Sequence, residues 1–70
     1  MRPDDWVAAY AEKLGAGAPS EEEFNAVLDL AAVAAHSSER TAAPVACWIA
    51  GRTGIPLAEA RKLAEEVGAG

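Results

Sequence analysis

The sequence contains few of the elements that small proteins commonly use to stabilise a fold. Its 70 residues include one cysteine, Cys47, and one histidine, His36. A single cysteine excludes an internal disulfide, and one cysteine with one histidine excludes a dense Cys/His metal cluster. We therefore expect stability to come from helix packing and self-association, as a homodimer, with neither a structural metal nor a bound cofactor.

Long apolar runs and an excess of basic residues are also missing. No stretch approaches the roughly 20 apolar residues of a membrane span, and Asp4 and Asp5 precede the first apolar residues, unlike a signal peptide. We therefore expect a cytoplasmic protein that does not enter a membrane. The net charge is −5, and the four bases of residues 36–70 are matched by four acids. Without a basic face to neutralise phosphates, nucleic-acid binding is not expected.

Abundant alanine and the lack of strand-like alternation predict an all-α protein. Seventy residues allow a single domain, residues 1–70. Start and stop signals divide it into four short helices, which we expect to form a compact bundle. An up-down arrangement and a more orthogonal one both remain open at this stage.

The first two helices have clear boundaries in the sequence. The first begins after Pro3 and stops at Leu14, before a glycine. The second follows Ser20, which forms a capping-box pattern with Glu23, and runs to about His36. Its broad apolar stripe predicts that it is the most buried of the four helices.

Proline and glycine mark the last two helices. The third begins at Pro44, or up to three residues earlier if Thr41 is the cap, and Gly54 ends it. Pro56 opens the fourth, which the C-terminal sequence GAG stops. Because alanine is small, we expect the large side chains to fill most of the core: Trp6, Tyr10, Leu14, Phe24, Leu28, Trp48, Ile49 and Leu63.

The sequence offers few candidates for catalytic residues. The acidic pairs and runs lie at predicted helix ends, where carboxylates favour the helix dipole, and no cleft is evident around them. Cys47 lies eleven residues from His36, so we interpret it as a small apolar filler and not as a nucleophile. We expect no enzymatic activity and assign no catalytic residue.

The stretch HSSERTAAP, residues 36–44, has two interpretations. If consecutive helices are antiparallel, it lies near the start of the first helix and the last turn of the fourth. It is then either a capped turn in which Arg40 pairs with Asp4 and Asp5, or a recognition patch. A cation, an imidazole and a helix N-terminus can together hold a carboxylate or phosphate. The candidate binding residues are His36, Ser37, Arg40, Thr41 and Pro44.

Three segments carry a family resemblance: DDWVAAYAEKLG, VLDLAAVAAHSSERTAAPVACWIAG and GIPLAEARKLAEEV. They resemble a family of small all-helical proteins of uncharacterised function from high-GC bacteria. In that family the domain occurs alone or fused after a molybdenum-cofactor guanylyltransferase. The family commonly has Arg-Pro-Ala-Ala-Pro where this chain has Arg40-Thr41-Ala42-Ala43-Pro44. The resemblance implies an accessory role in the biosynthesis of molybdopterin-guanine dinucleotide. It also makes residues 36–44 the best candidate for a binding surface.

Three functions remain open from the sequence. The first is a non-catalytic interaction module that docks on a molybdenum-cofactor guanylyltransferase. The second is a domain that binds a small anionic ligand around His36 and Arg40. The third and weakest is a regulator of helix-turn-helix type, because IAGRTGIPLAEARKLAEE is similar to a turn followed by a recognition helix.

Overall fold

The computed structural model describes residues 1–69 and forms an all-α bundle of four helices. Helix α1 spans Pro3–Lys13, α2 Glu21–Ser37, α3 Ala42–Thr53 and α4 Leu57–Ala69. The described residues contain no strand. None of the helices in this part of the chain has both the length and the apolar character needed to cross a membrane.

The predicted boundary signals act as expected at the start of α2 and at the ends of α1 and α3. The Glu23 N–H donates to Ser20 Oγ over 3.1 Å, and the Ser20 N–H donates to Glu23 Oε1 over 2.8 Å, completing the capping box. Gly15 and Gly54 adopt positive φ angles of 73° and 72°. These left-handed residues follow α1 and α3, and glycine takes that conformation without steric cost.

The boundaries of α3 and α4 differ slightly from the simplest prediction. Helix α3 begins at Ala42, within the earlier range that the sequence left open, and Pro44 lies in its first turn. A proline is tolerated there because first-turn amides have no partner within the helix. Helix α4 begins one residue after Pro56 and continues through Gly68 to Ala69, so the first glycine of the final GAG does not stop it.

Helix α2 is the centre of the packing and contacts both α3 and α4 extensively. Its Leu30 is 2% exposed, and Ala60 of α4 is also buried. The first turn of α2 and the start of α4 share a hollow, while Gly68 near the end of α4 lies against Ser37 at the end of α2. Helices α2 and α4 are therefore parallel, and α3, which connects the end of α2 to the start of α4, is antiparallel to both.

The prediction that large side chains fill the core is wrong. Seven of the eight residues named for it are exposed, and Phe24 is half-buried. The buried residues of the described chain are Ala11, Leu30 and Ala60. Small side chains let helix backbones approach closely, and the bulkier residues lie to the sides of these contacts.

The expected meeting of the α1 start with residues 36–44 is also wrong. The start of α1 shares a hollow with the start of α2, formed by Asp4, Ser20 and Phe24 among others. The 17 residues of α2 rise by about 24 Å between its ends, which separates this hollow from the His36 region. The other half of the prediction holds, because the last turn of α4 does lie beside Ser37.

Candidate functional site

The five residues predicted as a binding surface lie close together along the chain, and all are exposed. His36 and Ser37 form the last residues of α2, Arg40 and Thr41 form the turn, and Pro44 lies in the first turn of α3. Ser37 also packs against Gly68, where an added Cβ would collide with the Ser37 hydroxyl. The structure brings these side chains to one end of the bundle without Asp4 or Asp5.

The start of α3 has few free donors for an anion. The Ala42 N–H donates to Glu39 O over 2.9 Å, and the Ala43 N–H donates to Arg40 O over 3.2 Å. Pro44 has no N–H, and the side chain of Thr41 forms no capping hydrogen bond. An anion at this position would therefore depend on side chains alone, because the first three residues of α3 offer no amide to it.

A surface that the sequence reasoning missed continues from Pro44 along α3. Pro44, Trp48 and Arg52 are spaced four residues apart and share one side of the helix. Trp48 is 61% exposed, and the Arg52 guanidinium lies 4.7 Å from the centre of its ring, within the range of a cation–π contact. We call Arg40, Pro44, Trp48 and Arg52 the outer α3 face.

The spacing that reveals this face is visible in the sequence. Small residues, Ala43, Cys47 and Ala50, lie on the opposite side of α3, and all three are half-buried. The Cys47 thiol reaches Val27 O of α2 over 3.8 Å. The side of α3 with the smallest residues packs against α2, so the tryptophan is left on the surface.

The outer α3 face is rich in cations in an acidic chain. Neither Arg40 nor Arg52 forms an ion pair with a described residue, whereas Glu39 is the acid of the adjoining turn. Arg61 of α4 differs, because it lies 3.8 Å from Asp29 and 3.2 Å from Glu65. The guanidinium groups of the outer α3 face are thus open to a partner.

A second apolar surface lies between α3 and α4. We call it the α3–α4 groove, and Leu30 and Ala60 lie in its floor while Ile49, Leu63 and Val67 are exposed at its sides. It contains no charged residue. Its polar side chain, Thr53, already donates its hydroxyl to Ala50 O over 2.8 Å. Covering the groove would therefore leave no polar side chain without a hydrogen bond.

A third apolar surface belongs to α1. Trp6 and Tyr10 stack with their ring centres 5.2 Å apart and their planes at 25°. Trp6 is 56% exposed, and Met1 and Ala9 adjoin the pair. Because this surface lies on a different helix from the predicted binding residues, Trp6 can serve as a control for substitutions among them.

The exposed area of the chain is large for its mass. The protein exposes 5485 Å², whereas a folded monomer of its 7.2 kDa mass typically exposes about 4,100 Å². The difference of about 1,400 Å² exceeds the roughly 800 Å² that one partner buries in a standard protein interface. The chain therefore exposes enough area to include an interaction surface.

The described residues give little support for catalytic or metal-binding chemistry. Desolvation by burial raises the pKa of the Cys47 thiol above its ordinary value of 9.0, which disfavours the nucleophilic thiolate. Within residues 1–69, no three His, Cys, Asp or Glu side chains are placed so that together they could hold a metal ion. The acidic runs Asp4–Asp5 and Glu21–Glu23 lie in the first turns of α1 and α2, where they favour the helix dipole.

Comparison with known proteins places the chain in a family. Residues 2–69 match the sequence profile of the Domain of unknown function (DUF6457). The chain belongs to the DUF6457 family. No curated protein and no solved structure matches it.

Proposed function

We propose that this DUF6457 domain is a non-catalytic interaction module that binds another protein through its outer α3 face. The observation that carries the proposal is the exposed Trp48 with Arg52 above its ring, beside the open guanidinium of Arg40. Tryptophan and arginine are the residues that most often dominate the binding energy of protein interfaces. An exposed pair of them buries little apolar area and so adds little to the stability of the fold.

The charges of this face favour an acidic partner surface. Arg40, near His36, and Arg52, in the last turn of α3, form no ion pair with a described residue, while most acids of the chain lie in residues 1–35. Arginine pairs with carboxylates through a planar fork of donors, which adds directional specificity. From the resemblance of the sequence, the partner that we propose is a molybdenum-cofactor guanylyltransferase, to which the domain would act as an accessory in molybdopterin-guanine dinucleotide biosynthesis.

Two alternatives receive less support from the geometry. Binding of a small anion around His36 and Arg40 loses the contribution of the α3 amides, because Ala42 and Ala43 already use theirs and Pro44 has none. A helix-turn-helix regulator would need a basic α4, but Arg61 is paired with Asp29 and Glu65, and the remaining cation, Lys62, shares the helix with three acids. The protein interface needs neither of these features.

The test is a titration of the purified domain against the purified guanylyltransferase. We expect Trp48→Ala and Arg40→Ala each to weaken binding by about tenfold or more, because both would remove anchors of an interface. His36→Ala is expected to have a smaller effect in the same direction. The melting temperature of each variant should change little, since these side chains are exposed.

A matched control is available in the second tryptophan. Trp6→Ala removes a similarly exposed ring from α1 and should leave the affinity unchanged. Absence of binding at tens of micromolar, with both proteins folded, would reject the guanylyltransferase as the partner. Loss of binding in Trp6→Ala with no effect in Trp48→Ala would reject the outer α3 face.

A further inference from the structure

Beyond this proposed function, we infer that the α3–α4 groove is a homodimer interface in which the grooves of two copies cover each other. The groove is apolar and its sides are formed by Ile49, Leu63 and Val67, which are 52%, 47% and 80% exposed. The floor contains Leu30, which is 2% exposed and the most buried of the described residues. The proposed interface therefore lies directly over the core of each copy.

The distribution of charge points to a second copy as the occupant. Two copies that each carry −5 repel each other unless their acidic regions are kept apart. Residues 1–35 carry the whole excess, with seven acids and two bases, whereas residues 36–70 carry four of each. All lining residues of the groove except Leu30 come from the neutral half, so contact between two grooves joins neutral regions and places the acidic halves outside.

The large exposed area and the small core of the chain also favour a second copy as the partner that covers the groove. The excess surface of about 1,400 Å² is enough for one standard interface, at roughly 800 Å² per partner, and leaves area for a second. Only three of the described residues are buried, and a free thiol leaves no disulfide to stabilise the fold. Small domains without such links often depend on oligomerisation, and a second copy is present wherever the chain is made.

A twofold arrangement suits a surface of this kind. In a symmetric dimer, each patch contacts the same patch of the other copy. An uncharged apolar surface is therefore self-complementary without matched charges. Leu63 and Val67 lie one turn apart on α4 and would meet the corresponding residues of the partner copy near the twofold axis. The outer α3 face, on another side of α3, would remain free for the proposed protein partner.

The experiment is sedimentation equilibrium of the full chain across a concentration series. We expect the wild type to approach twice its 7.2 kDa mass in the micromolar range. Leu63→Glu should weaken the dimer by about 100-fold or more, because it places like charges opposite each other at a twofold interface. Leu28→Glu is the matched control, since Leu28 is 53% exposed but lies outside the groove, and it should leave the dimer intact.

A second groove variant covers the case in which Leu63→Glu loses its helical circular dichroism. Val67→Lys changes a side chain that is 80% exposed near the end of α4, where a cation is favourable; it should also give a folded monomer. A monomeric wild type at 100 μM or above would overturn the inference, even if a hydrophobic dye binds the groove. A dimer that withstands both groove variants, or that Leu28→Glu disrupts equally, would overturn it too.

Discussion

Helix α1 and the three-helix unit α2–α4 differ in whether any large side chain is buried. In α2–α4, the contacts are formed by Leu30 and small residues such as Ala60, and α2 packs extensively against both of its neighbours. Helix α1 carries Trp6 and Tyr10, yet both rings are exposed, and the buried residue of α1 is Ala11. The comparison indicates that the positions of small residues decide which helix faces meet in this fold, while both tryptophans and Tyr10 remain on the surface.

The largest effect should follow from removing the one large side chain in the core. Leu30→Ala leaves a cavity between α2 and its neighbours, and we expect it to lower the free energy of unfolding by about 2 to 5 kcal/mol. Urea unfolding followed by circular dichroism, at a fixed protein concentration, measures it. Leu28→Ala is the matched control and should cost far less, since Leu28 is exposed on the same helix. Equal losses in the two variants would contradict the assignment of the core.

The next effect tests whether small residues are required for close helix approach. Ala60→Leu adds volume at a buried position of α4 and should destabilise the protein by about 1 to 3 kcal/mol through overpacking. Ala58→Leu makes the same change at an exposed position and is expected to be nearly neutral. Thermal unfolding of both variants decides the point, and a stabilised Ala60→Leu protein would show that space remains beside Leu30.

A smaller effect distinguishes the starts of α1 and α2. Ser20 caps α2 with both hydrogen bonds of a capping box, whereas Arg2 at the start of α1 forms no side-chain capping bond. Ser20→Ala should therefore lower the free energy of unfolding by about 1 kcal/mol. Ser38→Ala, at the other end of α2, provides the control and should have less effect. A neutral Ser20→Ala would mean that the start of α2 contributes little to the stability of α2–α4.

The smallest effect is expected on α1. Trp6→Ala should change the free energy of unfolding by no more than about 0.5 kcal/mol, as for other exposed positions. Its ring stacks on Tyr10, but the pair lies in water and covers little of the core. Chemical unfolding at the same protein concentration provides the measurement. A loss comparable to that of Leu30→Ala would make α1 part of the core and remove the difference between the two regions.

Helix boundaries were predictable because their signals are local. The Ser20–Glu23 capping box and the glycines at 15 and 54 act through their own backbone geometry, whatever the rest of the chain does. The core was not predictable in the same way. Volume alone favours burying Trp6 and Trp48, but burial depends on which helix faces meet, and no local signal specifies that.

The candidate site was predictable in part for the same reason. The exposed turn around Arg40 follows from the helix boundaries on either side of it. Its expected pairing with Asp4 failed because the start of α1 lies at the other end of α2. The outer α3 face becomes evident once the small residues of α3 are recognised as its packing side, which leaves Trp48 and Arg52 exposed.

Quenching of the two tryptophans by acrylamide in dilute solution tests most directly whether their rings are on the surface. Single-tryptophan proteins, Trp6→Phe and Trp48→Phe, separate the two signals. We predict that both rings are quenched about as readily as a tryptophan in an unfolded peptide, because each is more than half exposed and neither lines the α3–α4 groove. Protection of either ring in the folded protein, released on unfolding, would place that tryptophan in the core and contradict the assignment of large side chains to recognition surfaces.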